Sequence, residues 1–88
     1  MTEKQTKIIN KLGLHARPAA LLVQKANKFK SEITLEKEGQ RVNGKSIMGV
    51  MMLAAEQGSI LTIIAQGEDE IQAVEALIEI VQSKFGEE

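Results

Sequence analysis

Cysteine is absent from the 88 residues, as are tryptophan and tyrosine, and Pro18 is the only proline. Without cysteine there is no disulfide, no thiolate nucleophile and no Cys-rich zinc site. A secreted domain of this size usually needs staples, so a reducing cytoplasm is the expected compartment. One proline leaves no room for a Pro-rich linker. The aromatic residues are Phe29 and Phe85 alone, which gives nucleobases few platforms to stack on. The formal net charge is −1, so the basic field that nonspecific nucleic-acid binding needs is missing. Apolar runs are too short to span a bilayer, and the first residues lack the apolar stretch of a signal peptide. No insertion into a membrane and no direct binding of nucleic acid are expected.

What is present describes an ordinary soluble domain. Apolar residues make up 43% and charged residues 26%, a balance that supports one modest core. A single domain over residues 1–88 is expected. No internal repeat or low-complexity segment is seen.

Thr6-Lys7-Ile8-Ile9 reads as a short first strand, followed by a loop through Asn10 to Leu14. A helix then begins after His15. Ala19, Leu22, Val23, Ala26 and Phe29 form one stripe at helical spacing, with Pro18 in the first turn, where a missing N–H costs little, and the helix is expected to fray near Lys28-Phe29-Lys30. Glu32 to Glu36 alternates with period two, as a half-buried strand does. Glu38-Gly39 makes a tight turn into a return strand, Gln40 to Asn43. Ser46 is placed to cap a helix over Ile47 to Ala55, stopped by Gly58. In that helix Val50, Leu53 and Ala54 are expected to face the core. Ile60 to Ala65 is the strongest strand. Gly67 ends it, and Glu68, Asp69 and Glu70 place negative charge at the start of a last helix. Val74, Leu77, Ile78, Val81 and Phe85 form its buried stripe. The order β-α-β-β-α-β-α, with hairpin-length connections, predicts an antiparallel sheet covered on one face by helices, an α+β sandwich.

His15 is the only histidine, and it stands where Ser, Thr, Asp or Asn would be the usual cap. A helix N-terminus offers free N–H groups and a positive dipole end, which together attract anions. Arg17 follows two residues on, with a guanidinium suited to phosphate oxygens. Neutral imidazole is a nucleophile. These features fit a histidine that accepts a phosphoryl group. Taken alone they also fit a surface histidine with no chemistry.

Gly39-Gln40-Arg41-Val42-Asn43-Gly44-Lys45-Ser46 matches the Walker A pattern letter for letter. A true P-loop follows a buried strand and opens a long crossover helix. Here the intervening residues read as a hairpin strand and the next helix is short, so an ATP site is not expected. Ser46 serves as an N-cap, and a phosphate there would agree with the helix dipole. Ile47, Met48, Met51 and Met52 exceed what one short helix can bury. They form either an exposed, adaptable patch or part of a small core. The charge runs Glu36 to Glu38 and Glu68 to Glu70 read as solvated surface. No residue pattern calls for a metal or other cofactor.

Gly13-Leu14-His15-Ala16-Arg17-Pro18-Ala19 resembles the phosphorylation-site signature of the HPr family, the histidine-containing phosphocarriers of the phosphoenolpyruvate-dependent sugar phosphotransferase system. Lys45-Ser46-Ile47-Met48-Gly49-Val50-Met51 resembles the second, serine-containing motif of that family. The spacing of the two motifs matches, and the resemblance runs from Ile8 to Phe85. It implies an open-faced β-sandwich of four antiparallel strands with three helices on one face.

It implies that His15 accepts phosphate from phosphorylated enzyme I through Nδ1, as a pros-phosphohistidine, and passes it to enzyme IIA domains of sugar permeases. Arg17 would steady the phosphoryl group. Ile47, Met48 and Met51 would belong to the partner-docking patch. Ser46 would be the substrate of HPr kinase/phosphorylase, and the Ser-phosphorylated form would bind catabolite control protein A and dock less well to enzyme I. The protein would be a monomer and a stoichiometric relay, not an enzyme with its own turnover.

Leu12 and Met52 stand where relatives often have small polar residues. Ile64 to Glu70 is similar to catabolite repression HPr, a paralogue that lacks the active histidine and regulates transcription. A regulatory module acting through Ser46 and the Met-rich helix is the competing reading.

Overall fold

The computed structural model describes residues 1–87; the last residue of the expected domain span lies outside the described residues. The elements are β1 (Thr2–Lys7), α1 (Ala16–Ala26), β2 (Glu32–Lys37), β3 (Gln40–Asn43), α2 (Ile47–Met52), β4 (Ile60–Gln66), α3 (Glu70–Gln82) and a short 3₁₀ turn at Lys84–Gly86. The four strands form one antiparallel sheet in the order β1-β4-β2-β3. Three helices cover one of its faces, so the expected open-faced α+β sandwich is the observed architecture.

Strand alternation decides which residues meet the helices. Ile33 pairs with Ala65 and Leu35 with Ile63, and all four are buried. Against them pack Ala19, Leu22, Val23 and Ala26 of α1 and Ala73, Val74, Leu77 and Val81 of α3. The opposite face pairs Thr34 with Ile64 and Glu36 with Thr62, mostly polar residues, of which Ile64 and Thr62 are themselves buried.

Several expectations need correction. The first strand is Thr2–Lys7 and not Thr6–Ile9. Its polar residues carry no apolar alternation, yet each pairs with the apolar run of β4, from Thr2 opposite Ala65 to Lys7 opposite Ile60. Pairing with a strong neighbour overrides a weak local pattern. Ile8, just past the strand, is fully buried and donates its N–H to the Ser59 carbonyl.

The second helix stops at Met52, short of Ala55, and Ala54 is exposed instead of facing the core. Ala54 itself takes the left-handed conformation that ends the helix, with φ 49°. Lys37 Nζ then donates to the freed carbonyls of Leu53 (3.2 Å) and Ala54 (3.1 Å), the usual need of a helix C-terminus. Gly58 belongs to the next turn.

Phe85 lies beyond α3, in the left-handed turn, although it is buried as expected. Phe29 likewise lies past the end of α1 and is only half-buried. Ile78 is half-buried, and Ala73, which lies outside the expected stripe, is fully buried. In both helices the stripe runs on past the last α-helical residue, so periodicity overstates the helix length.

Candidate functional site

Residues 10–14 form the loop that delivers His15. Gly13 has φ +68°, and a Cβ there would sit 2.3 Å from the Ala55 carbonyl oxygen. Only glycine permits both that conformation and that approach. The Leu14 N–H donates to the same carbonyl at 2.8 Å, so the loop is pinned to the segment after α2. Asn10 is fully buried beneath it and donates from Nδ2 to the Gly13 carbonyl at 2.8 Å.

His15 is the N-cap of α1, with φ −78° and ψ −171°, and its side chain makes no capping hydrogen bond. The first helical bond is from the Ala19 N–H to the His15 carbonyl. The N–H groups of Ala16 and Arg17 therefore precede the intrahelical ladder, and Pro18 has none to satisfy. The imidazole is free of cap duty and is 38% exposed, open enough for a partner to reach. Arg17 extends from the first turn with 64% of its side chain exposed.

A third group completes the cluster. One carboxylate oxygen of Glu87 lies 2.9 Å from His15 Nε2 and 3.4 Å from an Arg17 guanidinium nitrogen. The other accepts from Asn10 Nδ2 at 3.0 Å. The structure thus brings together His15 and Arg17, which the motif singles out, and adds Asn10 and Glu87. No local signal marks Glu87, since an acidic residue near an exposed end reads as solvated surface. Asn10 carries only the weak signal of an Asn three residues before a glycine.

Ser46 caps α2, accepting from the Gly49 N–H at 3.1 Å. Along α2, Ile47 is 45% exposed, Met48 75%, Met51 42% and Met52 66%, so these residues form the surface patch, not the core. Val50 and Leu53 take the core positions. Leu12, in the histidine loop, is 73% exposed and adds apolar surface there. The hairpin expected in the Walker-like segment is present. Gly39 turns it with φ 84°, Gln40–Asn43 is β3, and Lys45 Nζ is engaged by the Phe29 carbonyl at 2.7 Å. That lysine and that strand do not form a phosphate-cradling loop.

Among the described residues no group of three or more His, Asp or Glu side chains is placed to hold a metal ion. No described helix is long and apolar enough to cross a membrane.

The family described as "PTS HPr component phosphorylation site" matches residues 2–83. HPr-like protein Crh of Halalkalibacterium halodurans is 55% identical over 84 residues, covering 96% of this chain and all of the relative. Phosphocarrier protein HPr of Xylella fastidiosa strain Temecula1 is 50% identical over 88 residues, covering 100% of this chain and 99% of the relative. Among solved structures, HPr-C-His from Thermoanaerobacter tengcongensis superposes with a TM-score of 0.96 at 53% identity, covering 100% of this chain and 99% of the other. The histidine-bearing sandwich is therefore that of a small phosphocarrier. The chain belongs to the HPr family of the phosphotransferase system. Crh of Bacillus subtilis, whose solution structure is described as that of the catabolite repression HPr, is 52% identical over 91% of this chain and 95% of the other, with a TM-score of 0.69.

Proposed function

We propose that this protein is a phosphocarrier that receives a phosphoryl group on His15 from phosphorylated enzyme I and passes it to enzyme IIA domains of sugar permeases. The observation that carries this reading is the uncapped, part-exposed imidazole of His15 at the N-terminus of α1, with Arg17 in the first turn. Phosphoryl transfer requires positioning and charge stabilisation more than covalent machinery, and a helix N-terminus with an arginine supplies both. Arg17 is a flexible, exposed cation that can turn from Glu87 to the phosphoryl oxygens. An open site also suits a carrier, which must release its group to the next partner.

Ile47, Met48 and Met51 provide the apolar docking surface next to the site, and the adaptable Met side chains suit a series of partners. The protein acts as a cytoplasmic single domain and is a substrate of its partners, without turnover of its own and without a cofactor. We propose a monomer as the working form. Related proteins also occur as dimers, among them an HPr dimer from T. tengcongensis (TM-score 0.80) and the swapped Crh dimer of Bacillus subtilis (TM-score 0.77).

Incubation with enzyme I and phosphoenolpyruvate tests the carrier reading. One acid-labile phosphoryl group, lost in His15→Ala, is the expected result. The absence of uptake by the folded protein would overturn it.

A second reading is supported by the Crh relatives and by the geometry of Ser46. In it, HPr kinase/phosphorylase modifies Ser46, and the product binds catabolite control protein A and docks less well to enzyme I. ATP-dependent modification followed by tighter binding to that regulator is expected. Unchanged affinity after full modification would remove this role.

A further inference from the structure

The chain after α3 is strained. Lys84 (φ 58°), Phe85 (φ 55°) and Gly86 (φ 73°) stand in succession in the left-handed region, two of them without the freedom of glycine. Such strain persists where surrounding structure over-determines it. Here the Phe85 side chain is 3% exposed and anchored in the core, so the turn cannot relax without withdrawing a buried phenyl ring. The turn reverses the chain and lays Glu87 across the histidine loop. The Glu87 side chain is 14% exposed, and its two oxygens are divided between Asn10 on one side and His15 with Arg17 on the other. Asn10 is itself fully buried and held by the Gly13 carbonyl, so the carboxylate rests on a fixed support.

We infer that Glu87 is a positioning residue for phosphoryl transfer, holding His15 in the tautomer that carries its proton on Nε2 and leaves the lone pair on Nδ1. This rests on the reading of His15 as the phosphoryl acceptor. A carboxylate accepts hydrogen bonds and does not donate them, so the 2.9 Å contact requires the hydrogen on Nε2. In neutral imidazole the other nitrogen is then the nucleophile. The Nδ1 lone pair forms the new N–P bond as the bond from phosphorus to the donor's leaving atom breaks, and that electron pair stays with the donor. Nε2 keeps its proton, so none is released. The phosphorylated ring is an imidazolium, and its positive charge faces the Glu87 carboxylate. On transfer to the next partner the N–P electron pair returns to Nδ1 and the ring leaves as neutral imidazole. One carboxylate therefore supports the group both as acceptor and as donor, as a buried acid orients the histidine of a hydrolase triad.

The test compares the wild-type protein with Glu87→Ala and Glu87→Gln, after circular dichroism and thermal melting have shown each to be folded. The readouts are the tautomer ratio of His15, from ¹⁵N–¹H spectra at alkaline pH where imidazole is neutral, and the kinetics with enzyme I and phosphoenolpyruvate. Wild type is expected almost wholly as the Nε2–H form, and both variants as tautomer mixtures. Turnover by enzyme I should fall about tenfold, the scale of one charge-assisted hydrogen bond, with KM for the carrier unchanged. Unchanged tautomers and rates in both folded variants would overturn the inference, and so would a change confined to KM. A wild-type protein that takes up no phosphate would instead defeat the carrier reading, while the tautomer spectra still report on Glu87.

Discussion

Asp69 clamps Ser31. One oxygen of its carboxylate accepts from the Ser31 N–H at 3.0 Å and from the Ser31 hydroxyl, and the other accepts from the Lys30 N–H at 2.9 Å. Asp69 stands at the N-cap position of α3 but makes no capping bond with its side chain, spending it on the turn between α1 and β2. Gly67 allows the approach, since a Cβ there would come 2.6 Å from Ser31 Oγ. Nearby, Glu70 accepts from the Thr2 hydroxyl at 2.6 Å and fastens β1 to the start of α3.

These two carboxylates make the stability of the fold depend on pH in the acid range. The Ser31 hydroxyl and the Lys30 N–H lower the pKa of Asp69 from 3.8 to about 2. The Thr2 hydroxyl, then the α-amino group of Met1, lower that of Glu70 from 4.5 to about 2. A depressed carboxylate stabilises the fold above its unfolded pKa and ceases to do so as pH falls through the folded one. Stability should therefore hold down to about pH 4.5 and then decline towards pH 2. Urea midpoints measured across that range check it, and Asp69→Asn should flatten the decline.

The histidine loop should be more sensitive to a methyl group at Gly13 than the hairpin is at Gly39. Both glycines have positive φ, but a Cβ at Gly39 meets nothing within 4 Å, whereas at Gly13 it meets the Ala55 carbonyl at 2.3 Å. Gly39→Ala should cost about 1 kcal/mol, the conformational term alone. Gly13→Ala should cost at least about 2 kcal/mol more, because backbone must move. Denaturant unfolding of the two variants gives the difference directly.

At Ser46 the cap and the proposed modification are separable. Ser46→Ala removes the acceptor of the Gly49 N–H and should lower stability by about 1 kcal/mol. Ser46→Asp keeps an acceptor and adds charge that the helix dipole favours, so its melting temperature should stay near that of wild type. If the serine also controls docking to enzyme I, the Asp variant should raise KM for the carrier without loss of fold.

Much of the fold is legible because its central elements carry strong periodicity. The stripe Ala19, Leu22, Val23 and Ala26 places α1, and the apolar run Ile60 to Ala65 places β4. The polar strand β1 is not legible, since its partner supplies the apolar surface. Nor is the end of α2, where Ala54 takes a backbone conformation that sequence alone assigns to glycine. The site divides in the same way. His15 and Arg17 lie in one local motif, at a helix start that can be read directly. Glu87 reaches His15 across 72 positions of the chain, through a turn set by the burial of Phe85. A contact of that separation has no period or spacing by which to recognise it.

The central claim is that His15 carries the phosphoryl group. Its most direct test is intact mass after incubation of the wild-type protein and of His15→Ala with enzyme I and phosphoenolpyruvate, before and after brief acid treatment. One added phosphoryl group on wild type, removed by acid and absent from a folded His15→Ala, is the predicted result. An acid-labile group on His15→Ala, or none on wild type, would contradict the account.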